Sequence, residues 1–235
     1  MIKTFEELVR DTELYAEYTK DPNDMLQSPG ISEQEAAQLK QALPKLSPIY
    51  VHLLQKYDLQ RMTLGGCSFD LGTKRWGSAL LVKDLIKLNQ FDGDPNQISI
   101  AAEYLQRDHA YHVASREEGD PIAIVYQDGP YQKEQVLWYD LYDFNQPPIV
   151  LANAFDDFLL LLGNKDQLQY NVFDGLCTKR EAKEAFFRCV REFVPDASEW
   201  TLRGWDAMTL DLDEVPRVMS QHFEGYPDMS KKPKR

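Results

Sequence analysis

The stretch from Gly119 to Gly163 constrains the fold of this chain more than any other, reading GDPIAIVY, then VLWYDLYDF, then PPIVLANAFDDFLLLLG. The runs Ile122–Tyr126 and Val136–Tyr142 are dense in β-branched and aromatic side chains, and QDGPYQKEQ between them carries the Asp-Gly and Gly-Pro signals of a turn. That pattern predicts a hairpin. Pro147-Pro148 breaks the chain, and Ile149–Leu151 adds a third strand. Asn153 is placed to cap a helix whose first turn holds Asp156 and Asp157, where carboxylates oppose the positive end of the dipole. Gly163 reads as the stop of that helix.

Helices dominate on both sides of this block. Residues 3–19 predict a helix with Phe5, Leu8, Leu14, Tyr15 and Tyr18 on one side. Ser32 and Glu35 form a capping box for a second helix through Leu43, and Ser47-Pro48 starts a third that runs to about Tyr57. Gly65-Gly66 and Gly72 flank CSFDL, a short strand or turn; Leu80–Asn89 is read as helical. Ser99 caps a helix through about Gln106, and His109–Ala114 extends into a strand. Thr178 and Glu181 form another capping box, with Ala182, Ala185, Phe186, Cys189, Val190 and Phe193 at helical spacing after it. Glu214–Phe223 is read as a last helix, with Val215, Val218, Met219 and Phe223 on its apolar side. Helices, then strands with intervening helices, then helices again make an α+β protein.

Charge narrows the function. The chain of 235 residues has a formal net charge of -12, and the terminal Lys231-Lys232-Pro233-Lys234-Arg235 holds four of the 26 basic residues with no acid. Residues 1–230 therefore carry 22 basic against 38 acidic side chains, a balance of -16. Such a body repels nucleic acid phosphate and anionic membrane, and attracts basic partners. The basic tail reads as a disordered extension or a nucleic-acid contact. No run of about 18 apolar residues predicts a membrane span, and the acidic, amphipathic N-terminus has no signal-peptide core. Three cysteines, Cys67, Cys177 and Cys189, stand at no metal-like spacing, which predicts a reducing, cytoplasmic compartment.

Chemistry-bearing residues are few. Asp92, Asp94, Asn96 and Glu103 fall at positions 1, 3, 5 and 12 of a calcium-loop template, with Ile98 and Ile100 at 7 and 9. The template's sixth position needs glycine and holds Gln97, and Pro95 interrupts it. An acidic interhelix loop explains the same residues, so calcium is only the alternative reading. His109 and His112 lie three apart with no third ligand nearby, and Cys67 has no motif tying it to a histidine. Asp156-Asp157 is accounted for by the helix start, and Asp211 with Asp213 by a solvent-facing edge and a cap. No catalytic residue, cofactor or metal is expected. Strand alternation places Trp138, Asp140 and Tyr142 on one face and Tyr139, Leu141 and Asp143 on the other. Aromatic rings beside carboxylates suit the grip of a basic partner, so Trp138, Asp140, Tyr142 and Asp143 are the candidate partner-binding residues. A core face with an ordinary outer face explains the same alternation.

A capped helix ending in LP, a helix reading PIYVHLLQKY, a GG turn, GDPIAIVY, a hairpin strand and IVLANAFDDFLLLL follow one another in an order that resembles the SUKH superfamily. That group includes fungal Smi/Knr-type cell-wall regulators, the bacterial Syd protein and many bacterial immunity proteins. GDPIAI followed by ANAFDDFL is the closest piece, with Asn153-Ala154 where the family usually has small or hydroxyl residues before Phe155. The resemblance covers about residues 30–163 and treats Gly119-Asp120-Pro121, Phe155 and Phe158 as fold markers. It implies a mixed β-sheet packed with helices, no enzymatic activity, and a SUKH-like α+β domain at residues 31–165. Residues 1–30 are then an N-terminal helix, 166–230 a helical C-terminal extension packed on the domain, and 231–235 a basic tail. It also implies an immunity protein that neutralises a toxin, often a nuclease, through an acidic face. A Smi/Knr-like regulator or scaffold without a toxin partner is the alternative.

Overall fold

The computed structural model describes residues 2–18, 30–57, 63–65, 67, 68, 85, 101–115, 120–140 and 146–208. Helices α1 (Phe5–Tyr18), α2 (Glu33–Ala42) and α3 (Pro48–Lys56) precede a short antiparallel pair, β1 (Thr63–Leu64) and β2 (Cys67–Ser68). Then come α4 (Ala102–Arg107), β3 (Ala110–Ser115), β4 (Pro121–Val125), β5 (Val136–Trp138) and β6 (Ile149–Ala152). The described chain ends with α5 (Phe155–Phe173), α6 (Lys179–Phe193) and α7 (Glu199–Met208). The architecture is α+β. Strands β3 to β6 form one sheet in sequence order with every neighbouring pair antiparallel, so among the described residues the expected mixed sheet is corrected to an antiparallel one. No connection between these strands exceeds ten residues, too short for the crossover that a parallel neighbour requires.

All five residues of β4 are buried because the sheet is covered on both faces. Ile122, Ile124, Val136 and Trp138 face a core that runs from Leu8 to Trp205. Ala123, Val125, Leu137 and Tyr139 face a smaller cluster with Ala101 and with Leu105 of α4. Double burial explains why the strands read as continuous apolar runs.

Both helix-end readings for α5 are corrected. Its N-cap is Ala154, which makes no side-chain cap bond; the side-chain oxygen of Asn153 instead accepts from Gln135 Nε2 at 2.9 Å. The helix does not stop at Gly163 but continues to Phe173. A Cβ at Gly163 would lie 3.0 Å from Leu8 Cδ1 and 3.4 Å from the Leu64 carbonyl oxygen, so this glycine lets α1 and β1 approach the helix. The next residue, the buried Asn164, fastens the N-terminal segment: its Oδ1 accepts from Lys3 N at 2.8 Å, and its Nδ2 donates to Lys3 O at 2.9 Å. The boundary expected at residue 165 therefore lies within one continuous helix. Leu14, expected on the apolar side of α1, is 57% exposed; the buried side is Leu8, Val9 and Thr12. Thr12 Oγ1 donates to Leu8 O at 2.9 Å and accepts from Gly65 N at 2.7 Å, tying α1 to the turn after β1.

Ser99, the expected cap of α4, lies outside the described residues, and the N-cap is Ala101, which makes no side-chain cap bond; of the expected helix at Leu80–Asn89 only Leu85 is described. Both capping boxes form: Glu35 N donates to Ser32 Oγ at 3.2 Å and Ser32 N to Glu35 Oε2 at 2.8 Å, with the same pattern at Thr178 and Glu181. The hydrogen bonds from Ser32 and Thr178 hold the Glu35 and Glu181 carboxyls below their ordinary range. Ala182, Phe186, Cys189 and Val190 form the buried side of α6. Helix α7 was not anticipated, and the expected helix at Glu214–Phe223 lies outside the described residues. Among the described residues, no helix is long and apolar enough to cross a membrane.

Cys189 is 1% exposed, and burial pushes its thiol up to about 12. The native protein is expected to leave Cys189 unmodified by a charged disulfide reagent, and the denatured protein to label there. Mass spectrometry of labelled peptides checks this; rapid native labelling at Cys189 would mean that α6 does not stay docked.

Candidate partner-binding surface

Of the four residues expected to grip a partner, the structure describes Trp138 and Asp140. Trp138 is 7% exposed and lies in the main core, where its indole N–H donates to Asp120 Oδ2 at 3.3 Å. Its ring edge faces Gly204 of α7, so the helix covers the face that the sequence left open to solvent. This corrects its assignment: Trp138 is a core anchor. Asp140, just beyond β5, is exposed. Tyr142 and Asp143 lie outside the described residues. Strand alternation itself holds, since Tyr139 points away from Trp138 into the second cluster.

On that second face the sheet holds a closed polar network. Asp108, 1% exposed, receives Arg107 Nε and Nη2 at 2.7 and 2.8 Å and the Tyr139 hydroxyl at 3.1 Å. Burial, then the Asp108 charge, raises the Tyr139 hydroxyl far above its ordinary value. A buried carboxylate with three donors is a structural tie between α4 and β5.

The histidines go separate ways. His109 sits at a positive φ of 50 before β3, its Nδ1 3.2 Å from the Asp128 carbonyl oxygen. His112 lies on β3 with its Nε2 2.9 Å from Ser115 Oγ. Among the described residues, no group of three His, Cys, Asp or Glu side chains is arranged to hold a metal ion. Of the calcium-loop alternative, Asp92, Asp94 and Asn96 lie outside the described residues, and Glu103 is exposed in the first turn of α4. Asp211 and Asp213 also lie outside them.

Sequence reasoning missed one cluster. Glu134 is 2% exposed and adopts a left-handed φ of 74, two residues before β5. Val125 N donates to Gln135 O at 3.0 Å while Glu134 N donates to Val125 O at 2.9 Å, so two residues oppose one in a bulge that glycine usually opens. Glu134 Oε1 accepts from Lys45 N at 3.2 Å, before α3; Oε2 has no hydrogen-bond partner. Asp156, in the first turn of α5, accepts from the Ser47 amide with one oxygen and leaves buried Oδ1 without a partner. Burial, with repulsion from Asp157 and Glu134, pushes Asp156 up to about 6 against that hydrogen bond. Burial also raises Glu134 against the Lys45 amide and the Lys45 and Lys133 charges, and raises Asp157 against Lys45. Positive φ at Glu134 has no signature in a single sequence, and Asp156 has an ordinary helix-start explanation, so neither pointed to the other.

Comparison with protein-family models, with curated proteins and with solved structures found no match for this chain.

Proposed function

We propose that this chain is a non-enzymatic, cytoplasmic protein-binding module of SUKH-like type, whose acidic surface captures and neutralises a basic toxin domain. The observation that carries the reading is the balance of -16 over residues 1–230. A surface so charged raises the encounter rate with a basic protein and slows encounters with phosphate-rich polymers and anionic membranes. Nucleic-acid-cleaving domains present basic clefts, and an acidic face that occludes such a cleft blocks it without chemistry of its own. Asp140 is the solvent-facing member of the predicted contact set among the described residues.

Reversing this charge, Asp140→Lys, is expected to slow association with the partner about three- to tenfold at low ionic strength and to weaken its salt dependence. Rates equal to those of the parent would remove Asp140 from the contact. Expression of a toxin-like neighbouring gene with and without this chain tests the function itself. The expected outcome is growth arrest that co-expression relieves. Growth arrest unrelieved by this chain, or no toxin-like neighbour, would favour a Smi/Knr-like regulator instead.

A further inference from the structure

We propose that Glu134 and Asp156 form a proton-operated clasp: uptake of one proton by this pair fastens the β4–β5 hairpin to the starts of α3 and α5, and its release loosens them. Each side chain spends one oxygen on a backbone amide at the start of α3, Glu134 on Lys45 and Asp156 on Ser47. Each leaves its second oxygen buried with no donor, Glu134 Oε2 and Asp156 Oδ1. Two acceptors shut away from water, with like charge acting between them, destabilise the fully ionised state. A proton from solvent on either carboxyl removes one charge and supplies an O–H donor where two acceptors lack one.

The backbone adds a second, independent observation. A non-glycine residue at a φ of 74 is strained, yet Glu134 sits there with its side chain almost wholly enclosed. Glycine would relieve that strain and open the same bulge, but it has no carboxyl to reach α3. The other charged groups acting on the pair are Asp157 of α5, Lys45 before α3 and Lys133 of the hairpin. Of these, Asp157 opposes the ionised state of Asp156, while the two lysines favour ionised Glu134, so Asp156 is the member that takes up the proton.

For an acid whose folded-state pKa lies above its unfolded value, the folded state binds more protons between the two values. Stability then falls as pH rises through that window. The window lies between the ordinary Asp value of 3.8 and about 6. Urea denaturation of the parent, Glu134→Gln and Asp156→Asn at pH 5 and pH 7.5 tests the clasp. The unfolding equilibrium constant of the parent is expected to rise about tenfold more between pH 5 and pH 7.5 than that of Asp156→Asn, which has no carboxyl to titrate at that position, while Glu134→Gln falls between the two because burial still raises Asp156. Parallel pH profiles for the three proteins would overturn the proposal. Should a variant not fold, carboxyl-carbon NMR titration of the parent decides. An Asp156 carboxyl that titrates near pH 6 supports the clasp, and one that titrates wholly below pH 4.5 overturns it.

Discussion

Replacing Trp205 by alanine is expected to remove about 3–5 kcal/mol of stability. Trp205 is fully buried, its ring centroid lies 5.8 Å from that of Phe158 in a tilted contact and 5.6 Å from that of Phe186 in an edge-on one, and its indole N–H donates to the Leu151 carbonyl oxygen of β6 at 2.8 Å. Truncation leaves a cavity between α5, α6 and α7 and strips a buried carbonyl of its donor. The two losses separate experimentally. Trp205→Phe keeps most of the packing and is expected to cost about 1–3 kcal/mol, chiefly for the unpaired carbonyl. Urea titrations of the parent and both variants check the order. A loss under about 1 kcal/mol for Trp205→Ala would mean that α7 is an appendage rather than part of the core.

Gly30→Ala is expected to cost about 3 kcal/mol for a different reason. A methyl group at Gly30 would overlap the Leu54 carbonyl oxygen and lie 2.6 Å from the carbonyl carbon and oxygen of Gln55. These are backbone atoms of α3, whose Leu53 and Leu54 are buried, so the neighbour cannot swing aside as a side chain would. The adjacent amide of Ile31 donates to the same Leu54 oxygen at 2.9 Å, and displacement strains that bond as well. Thermal unfolding of the variant beside the parent measures the effect. A midpoint within a degree of the parent's would show that the segment entering α2 does not cross α3 this closely.

What could be read from residues alone was what is decided locally. Ser32 with Glu35 and Thr178 with Glu181 specify helix starts through bonds spanning three residues, and Pro48 specifies the start of α3 through its fixed φ; each acts as read. The apolar run Ile122–Tyr126 announces a strand, and β4 occupies Pro121–Val125. What depends on distant partners was not legible. Gly163 looks like a helix stop, yet it is a contact point for Leu8 and Leu64. Asn153 looks like a cap, but its oxygen is taken by Gln135 across the sheet. Trp138 alternates with Tyr139 as a strand residue should, but alternation cannot say that α7 covers one face and α4 approaches the other. Helix α7 itself carries Thr201, Gly204 and two tryptophans, poor helix formers held by the burial of Trp205 rather than by propensity.

In the proposed function, charge draws this chain onto a basic protein. Stopped-flow association with the purified, inactivated product of a toxin-like neighbouring gene, run from low to high salt, tests it most directly. The expected result is one-to-one binding, an association rate that falls steeply as salt rises, and a shallower fall for Asp140→Lys. Absence of binding, or a rate indifferent to salt, would contradict it.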